Sequence, residues 1–157
     1  MKTLVMDGFG ESPVKIRAAL SNLDKSYDRG ALILIGHGSD RDFMGLTSEE
    51  IMRLKLGTKV IWFYACNCGQ SMIGGFAGSG TIAAGHCCYV LRFPSYDLAL
   101  DTLKKRLDES DEDIDCSQLM SDIRATWFDT AKKCIERKDL LFAAITNHTR
   151  LSMRFSS

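Results

Sequence analysis

His37 and Cys66 are the two residues whose type and placement best suit catalysis in this chain. Each stands where a hydrophobic run stops. ALILI (residues 31–35) leads through Gly36 to His37-Gly38, and VIWFYA (residues 60–65) leads directly to Cys66. A thiol attacks as its thiolate. An imidazole beside it can take the thiol proton and later return it to a leaving amine. The pair therefore suits acyl transfer at an amide carbonyl. Gly38 leaves room for a substrate backbone. Its N–H, with that of Cys66, is expected to hold the oxyanion of a tetrahedral intermediate. Cys68 is the competing nucleophile. It lies inside the turn after Cys66 and is expected to be secondary or structural.

Other constellations fit less well. Cys66, Cys68, His86, Cys87 and Cys88 are residue types that bind zinc, but C-x-C is not the usual knuckle spacing. Adjacent Cys87 and Cys88 on a strand would also face opposite ways. A phosphatase loop wants an arginine where this chain has Met72. Ser39 in GHGS does not sit in a G-x-S-x-G elbow. No metal and no cofactor are expected.

For the dyad to meet, its two runs must be neighbouring parallel strands, and the intervening elements agree. Residues 2–6 read as a first strand ending at Asp7-Gly8. Ser12 as N-cap and Pro13 at the first helical position open a helix that carries Val14, Ile16, Ala18, Ala19, Leu20 and Leu23. Residues 31–35 are apolar throughout, as a strand covered on both faces should be. Residues 39–46 read as a polar loop. Thr47 to Glu50 carries a capping-box signal for a short helix that stops at Gly57. Residues 59–65 are the third strand, and a glycine-rich segment follows.

Residues 81–85 and 87–91 predict a fourth strand that Pro94 ends, and residues 95–108 a helix. An acidic loop covers residues 108–115. Leu119, Ile123, Trp127, Ala131 and Cys134 recur at helical spacing. Cys116 and Cys134 read as structural thiols. Residues 140–145 predict a final strand, and the tail an edge strand. Strand–helix alternation predicts an α/β fold with a mainly parallel central sheet and helices on both faces. The 157 residues, 45% of them hydrophobic, suit a single domain spanning 1–157.

Lys plus Arg and Asp plus Glu each total 20, so the chain lacks the basic footprint of a nucleic-acid binder. No apolar run approaches the roughly 20 residues that cross a bilayer, so no membrane partner is expected. The first residues lack the pattern of a secretory signal. The expected location is cytoplasmic, with the six cysteines reduced.

With these residues in view, the chain resembles the CHAT branch of the caspase-like cysteine peptidases, the clan of caspases, separases and gingipains. The resemblance rests on His37-Gly38 at one strand end and on Ala65-Cys66-Asn67-Cys68-Gly69 at the next. Ala83-Ala84-Gly85 through Val90 to Pro94 adds to it, as does Leu141-Phe142-Ala143-Ala144, taken as a closing strand. It covers residues 31 to 147. It implies a caspase-like three-layer sandwich and a cysteine endopeptidase acting on a protein or peptide substrate. Cys66 would be the nucleophile and His37 the base and acid. Many members of the clan take a basic residue before the scissile bond in an acidic S1 pocket, for which Asp7, Asp40 and Asp42 are candidates. The resemblance also suggests a regulated bacterial effector. No sensor repeats are visible beside the peptidase-like region, so an activating protein partner is expected. The alternative is a catalytically inactive CHAT-like interaction module.

Overall fold

Seven strands and six helices alternate along the described chain. In order they are β1 (Thr3–Asp7), α1 (Pro13–Ser21), β2 (Ala31–Ile35), β3 (Asp42–Phe43), β4 (Leu46–Thr47), α2 (Ser48–Arg53) and β5 (Val60–Tyr64). Then come α3 (Ser71–Gly74), β6 (Ile82–His86), α4 (Pro94–Glu109), α5 (Cys116–Glu136), α6 (Leu140–Ser152) and β7 (Met153–Ser156). This computed structural model describes residues 1–23, 25–87, 89–90, 94–111 and 113–157.

The main sheet runs β1-β2-β5-β6-β7. The first four strands are parallel, and β7 closes the edge antiparallel to β6. The parallel strands join the sheet in chain order. Right-handed crossovers then place every connecting helix on the same face. One core cluster accordingly holds Ile16 and Leu20 of α1, Ile51 of α2 and Met72 of α3 against Leu32, Leu34, Ile61 and Phe63. The opposite face would be bare without α4, α5 and α6. There Leu103, Leu107, Leu119, Ile123 and Trp127 cover Ile33, Ile35, Val60, Trp62 and Tyr64. The fold is thus α/β, with a mainly parallel sheet and helices on both faces. Every residue of β2 and β5 is buried, as their apolar composition demands.

Local signals act where they were expected. The Ser12 hydroxyl accepts from the Lys15 N–H, with Pro13 opening α1. Thr47 and Glu50 form a complete capping box on α2. Four expectations need correction. The helix that the capping box opens ends at Arg53, four residues before Gly57. Residues 39–46 are not a featureless loop, because β3 and β4 pair as a small antiparallel ribbon. The fourth strand stops at His86, and of its predicted continuation Cys88 and Leu91 lie outside the described residues. Residues 140–145 are not a strand but the start of α6. The Asp139 carboxylate accepts from the Phe142 N–H and caps that helix, and Lys138, at φ 61°, turns the chain out of α5. The apolar run LLFAAI was too short to separate the two periods. The matched Leu141–Ala144 segment is therefore helical. Among the described residues, no helix is long and apolar enough to cross a membrane.

Candidate functional site

Strand register explains how the two reactive residues come together. Asp7 of β1 is level with Ile35 of β2, which is level with Tyr64 of β5. Phe9, His37 and Cys66 are each the second residue past those partners. They therefore form a row across three neighbouring strand ends. All three line one cavity of about 170 Å³, with Tyr64 and Val90 among its other walls. The strand order does not reverse here, so no switch-point crevice exists. The walls come instead from the turn after β1 and the segment after β6.

His37 is exposed at the rim. Its ring meets Phe9 edge-to-face, with centroids 4.9 Å apart. Its N–H points to the Met44 sulfur at 3.2 Å, and its carbonyl accepts from the Met44 N–H at 2.9 Å. The ribbon of β3 and β4 thus anchors the main chain on either side of the imidazole. Cys66 is half-buried. Its sulfur accepts from the Val90 N–H at 3.3 Å, and the thiol points back to the Val90 carbonyl at 3.9 Å. Among the described residues, no hydrogen bond joins Cys66 to His37.

Asn67 separates the two thiols. At φ 58° it is left-handed, a conformation that asparagine tolerates better than most residues. The turn sends Cys66 into the cavity and Cys68 inward. Cys68 is fully buried, and its thiol donates to the Asp42 carbonyl at 3.6 Å. Burial pushes this thiol up to about 12, with the Asp42 carboxylate and Cys66 adding to the rise. At neutral pH Cys68 is a protonated core residue. Of the two thiols only Cys66 lines the cavity.

The glycines that follow His37 and Cys68 have packing reasons. A Cβ on Gly38 would overlap the Cys68 sulfur, and one on Gly69 would sit 2.6 Å from the His86 carbonyl carbon. Gly38 stands opposite Phe43 in an isolated antiparallel bridge. The bonds of that bridge run from Met44 N–H to His37 O and from Ser39 N–H to Asp42 O. The N–H of Gly38 takes no part in them. This leaves it suited to an incoming oxyanion.

The three acidic candidates occupy different places. Asp42 holds the β3–β4 turn, accepting from the Ser39 hydroxyl at 2.7 Å and from the Gly45 N–H at 3.0 Å. Asp7 accepts from the Phe9 N–H at 3.0 Å and so sets the turn that carries that ring. Asp40 lines a second cavity of about 400 Å³, with Gly38, Asn67, Gln70 and Tyr89 among its walls. Gly38 borders this second cavity, and its neighbour His37 borders the first.

No family model, curated protein or solved structure matches this chain. His86 bears on the zinc alternative. It is fully buried, and its ring is stacked on Trp127. Trp62 donates to its Nε2 at 3.3 Å, so the proton sits on Nδ1, which donates to the Ser152 hydroxyl at 2.8 Å. That hydroxyl donates onward to the Thr149 carbonyl at 2.9 Å. Both ring nitrogens are engaged, and burial pulls the imidazole down to about 3. His86 thus ties β6 to the end of α6 rather than offering a metal ligand.

Sequence reading passed over Phe9, although a signal for it existed. Asp7-Gly8-Phe9-Gly10 repeats the cadence of Ile35-Gly36-His37-Gly38. Two strands ending in the same x-G-x-G pattern place their third residues side by side. Val90 was named only within the Ala83–Pro94 segment, and its hold on Cys66 had no signal because main-chain atoms make it.

Proposed function

We propose that this chain is a cysteine endopeptidase of the caspase-like, CHAT-related type, with the caspase-like form of the three-layer sandwich. The observation that carries the proposal is the shared cavity of His37 and Cys66, each two residues past the end of adjacent parallel strands, while Cys68 is sealed below. His37 takes the Cys66 proton. The thiolate attacks the scissile carbonyl carbon, and the N–H groups of Gly38 and Cys66 receive the negative oxygen. Collapse expels the amine, which leaves with the proton from His37. Water, deprotonated by the same imidazole, then cleaves the thioester and restores the thiol. The neighbouring cavity takes the substrate residue before the scissile bond. Asp40 at its wall favours a basic side chain there. Asp7 acts at one remove, by setting Phe9 against His37. The reaction needs no cofactor, and a protein partner switches it on.

A second reading, a non-catalytic interaction module, draws on the Cys66 thiol being bonded to Val90 rather than to the imidazole. One experiment separates the two. Wild type, Cys66→Ala and His37→Ala are incubated with a peptidyl electrophile bearing arginine or lysine next to the warhead, and with a peptide library. The peptidase reading expects labelling and cleavage in the wild type alone. Equal labelling of wild type and Cys66→Ala, with no cleavage by either, leaves the interaction module.

A further inference from the structure

The helix pair α5–α6 carries an unusual surface. Seven large hydrophobic side chains are exposed among the described residues, and five of them lie on these two helices: Phe128, Ile135, Leu140, Leu141 and Leu151. Scattered apolar residues need no explanation, but a cluster does. This one is organised. Phe128, Lys132 and Ile135 recur at helical spacing on α5, and Leu140, Ala144 and Asn147 do so on α6. Between the two stripes lies an apolar groove of about 350 Å³.

The groove has a sign. Lys132 lies over the Phe128 ring at 5.8 Å, and Arg150 lies over the same ring at 5.3 Å. Neither cation belongs to an ion pair among the described residues; the Arg150 Nε donates to Asn147. A concave apolar channel between two helices fits a third helix, held by side chains at i, i+3, i+4 and i+7. Two unpaired cations beside it favour carboxylates on that helix. A second copy of this chain, docked by the same face, would set Lys132 and Arg150 against cations. A flat bilayer would not fill the channel.

We infer that the α5–α6 groove is a docking site for an acidic amphipathic helix of a partner protein. The inference does not depend on the dyad. The test is selection of a phage-displayed library of helical peptides on the full chain, followed by fluorescence anisotropy with the enriched peptides. Ala144 is exposed on α6, so Ala144→Arg blocks the channel without disturbing the core. Lys132→Glu with Arg150→Glu reverses its sign. Circular dichroism verifies that each variant keeps its fold. The expected result is enrichment of sequences with helical apolar spacing and flanking Asp or Glu. Their affinity should fall at least about tenfold in each variant. The inference is overturned by peptides without acidic bias, or by equal binding to Ala144→Arg. It is also overturned by a wild-type dimer that Ala144→Arg dissolves in sedimentation, or by binding to phosphatidylserine vesicles that the charge reversal abolishes.

Discussion

The C-terminal edge of the sheet holds two histidine–cysteine sets in opposite environments. His37 and Cys66 stand at the rim, on the walls of one cavity. His86 and Cys68 lie in the interior, fully buried. The residue types are the same, so type does not make the difference. Burial removes the charged form of each interior group. It pulls His86 down to about 3 and pushes Cys68 up to about 12, so both are neutral near pH 7. The interior set gives the edge its packing, and the rim set lies open to the cavity.

The largest expected contrast lies between the thiols. At pH 7 a thiol at about 12 is roughly a thousandfold less ionised than an ordinary one. Mass-spectrometric mapping of iodoacetamide adducts on the folded chain should find Cys66 modified and Cys68 protected, Cys68 reacting roughly a thousandfold more slowly than a free model thiol. Comparable rates would erase the distinction between rim and interior. The histidines come next. His86→Ala removes packing against Trp127 and Tyr64 and leaves the Trp62 N–H unpaired, costing about 3 kcal/mol in urea unfolding. His37→Ala changes an exposed side chain, and its effect on stability should stay within about 0.5 kcal/mol. A similar cost for both would show that the rim is also structural.

The smallest effect is a slope. His86 has a folded value of about 3 against 6.5 for the free imidazole, so between these pH values the unfolded chain binds more protons. Its contribution is fully present above about pH 6.5 and is lost as pH falls, at up to about 1.4 kcal/mol per pH unit. Urea midpoints at pH 7.5 and pH 5 should show the decline. In His86→Phe it should be shallower by that amount, and an unchanged slope would place the titration elsewhere.

How much of this was legible in the sequence depended on which atoms carry each feature. Side-chain signals could be read: Ser12 and Pro13 fix the start of α1, Thr47 and Glu50 the start of α2, and the apolar runs fix β2 and β5. His37 and Cys66 were legible because both follow such runs. The start of α6 was legible in principle, since Asp139 caps it, but the apolar run after it read equally well as a strand. The burial of His86 depends on Trp62, Trp127 and Ser152, which lie far apart in the chain. No local pattern announces such a meeting.

The hold on Cys66 has a further consequence. Its partner is the main chain of Val90, and the carbonyl next to it, on Tyr89, accepts from His148 Nε2 of α6 at 3.1 Å. Replacing the Val90 side chain leaves this hold in place, because main-chain atoms make it. The thiol and an amide proton are therefore two reporters on one clock. Whatever frees the sulfur also frees the Val90 N–H to exchange with solvent deuterium.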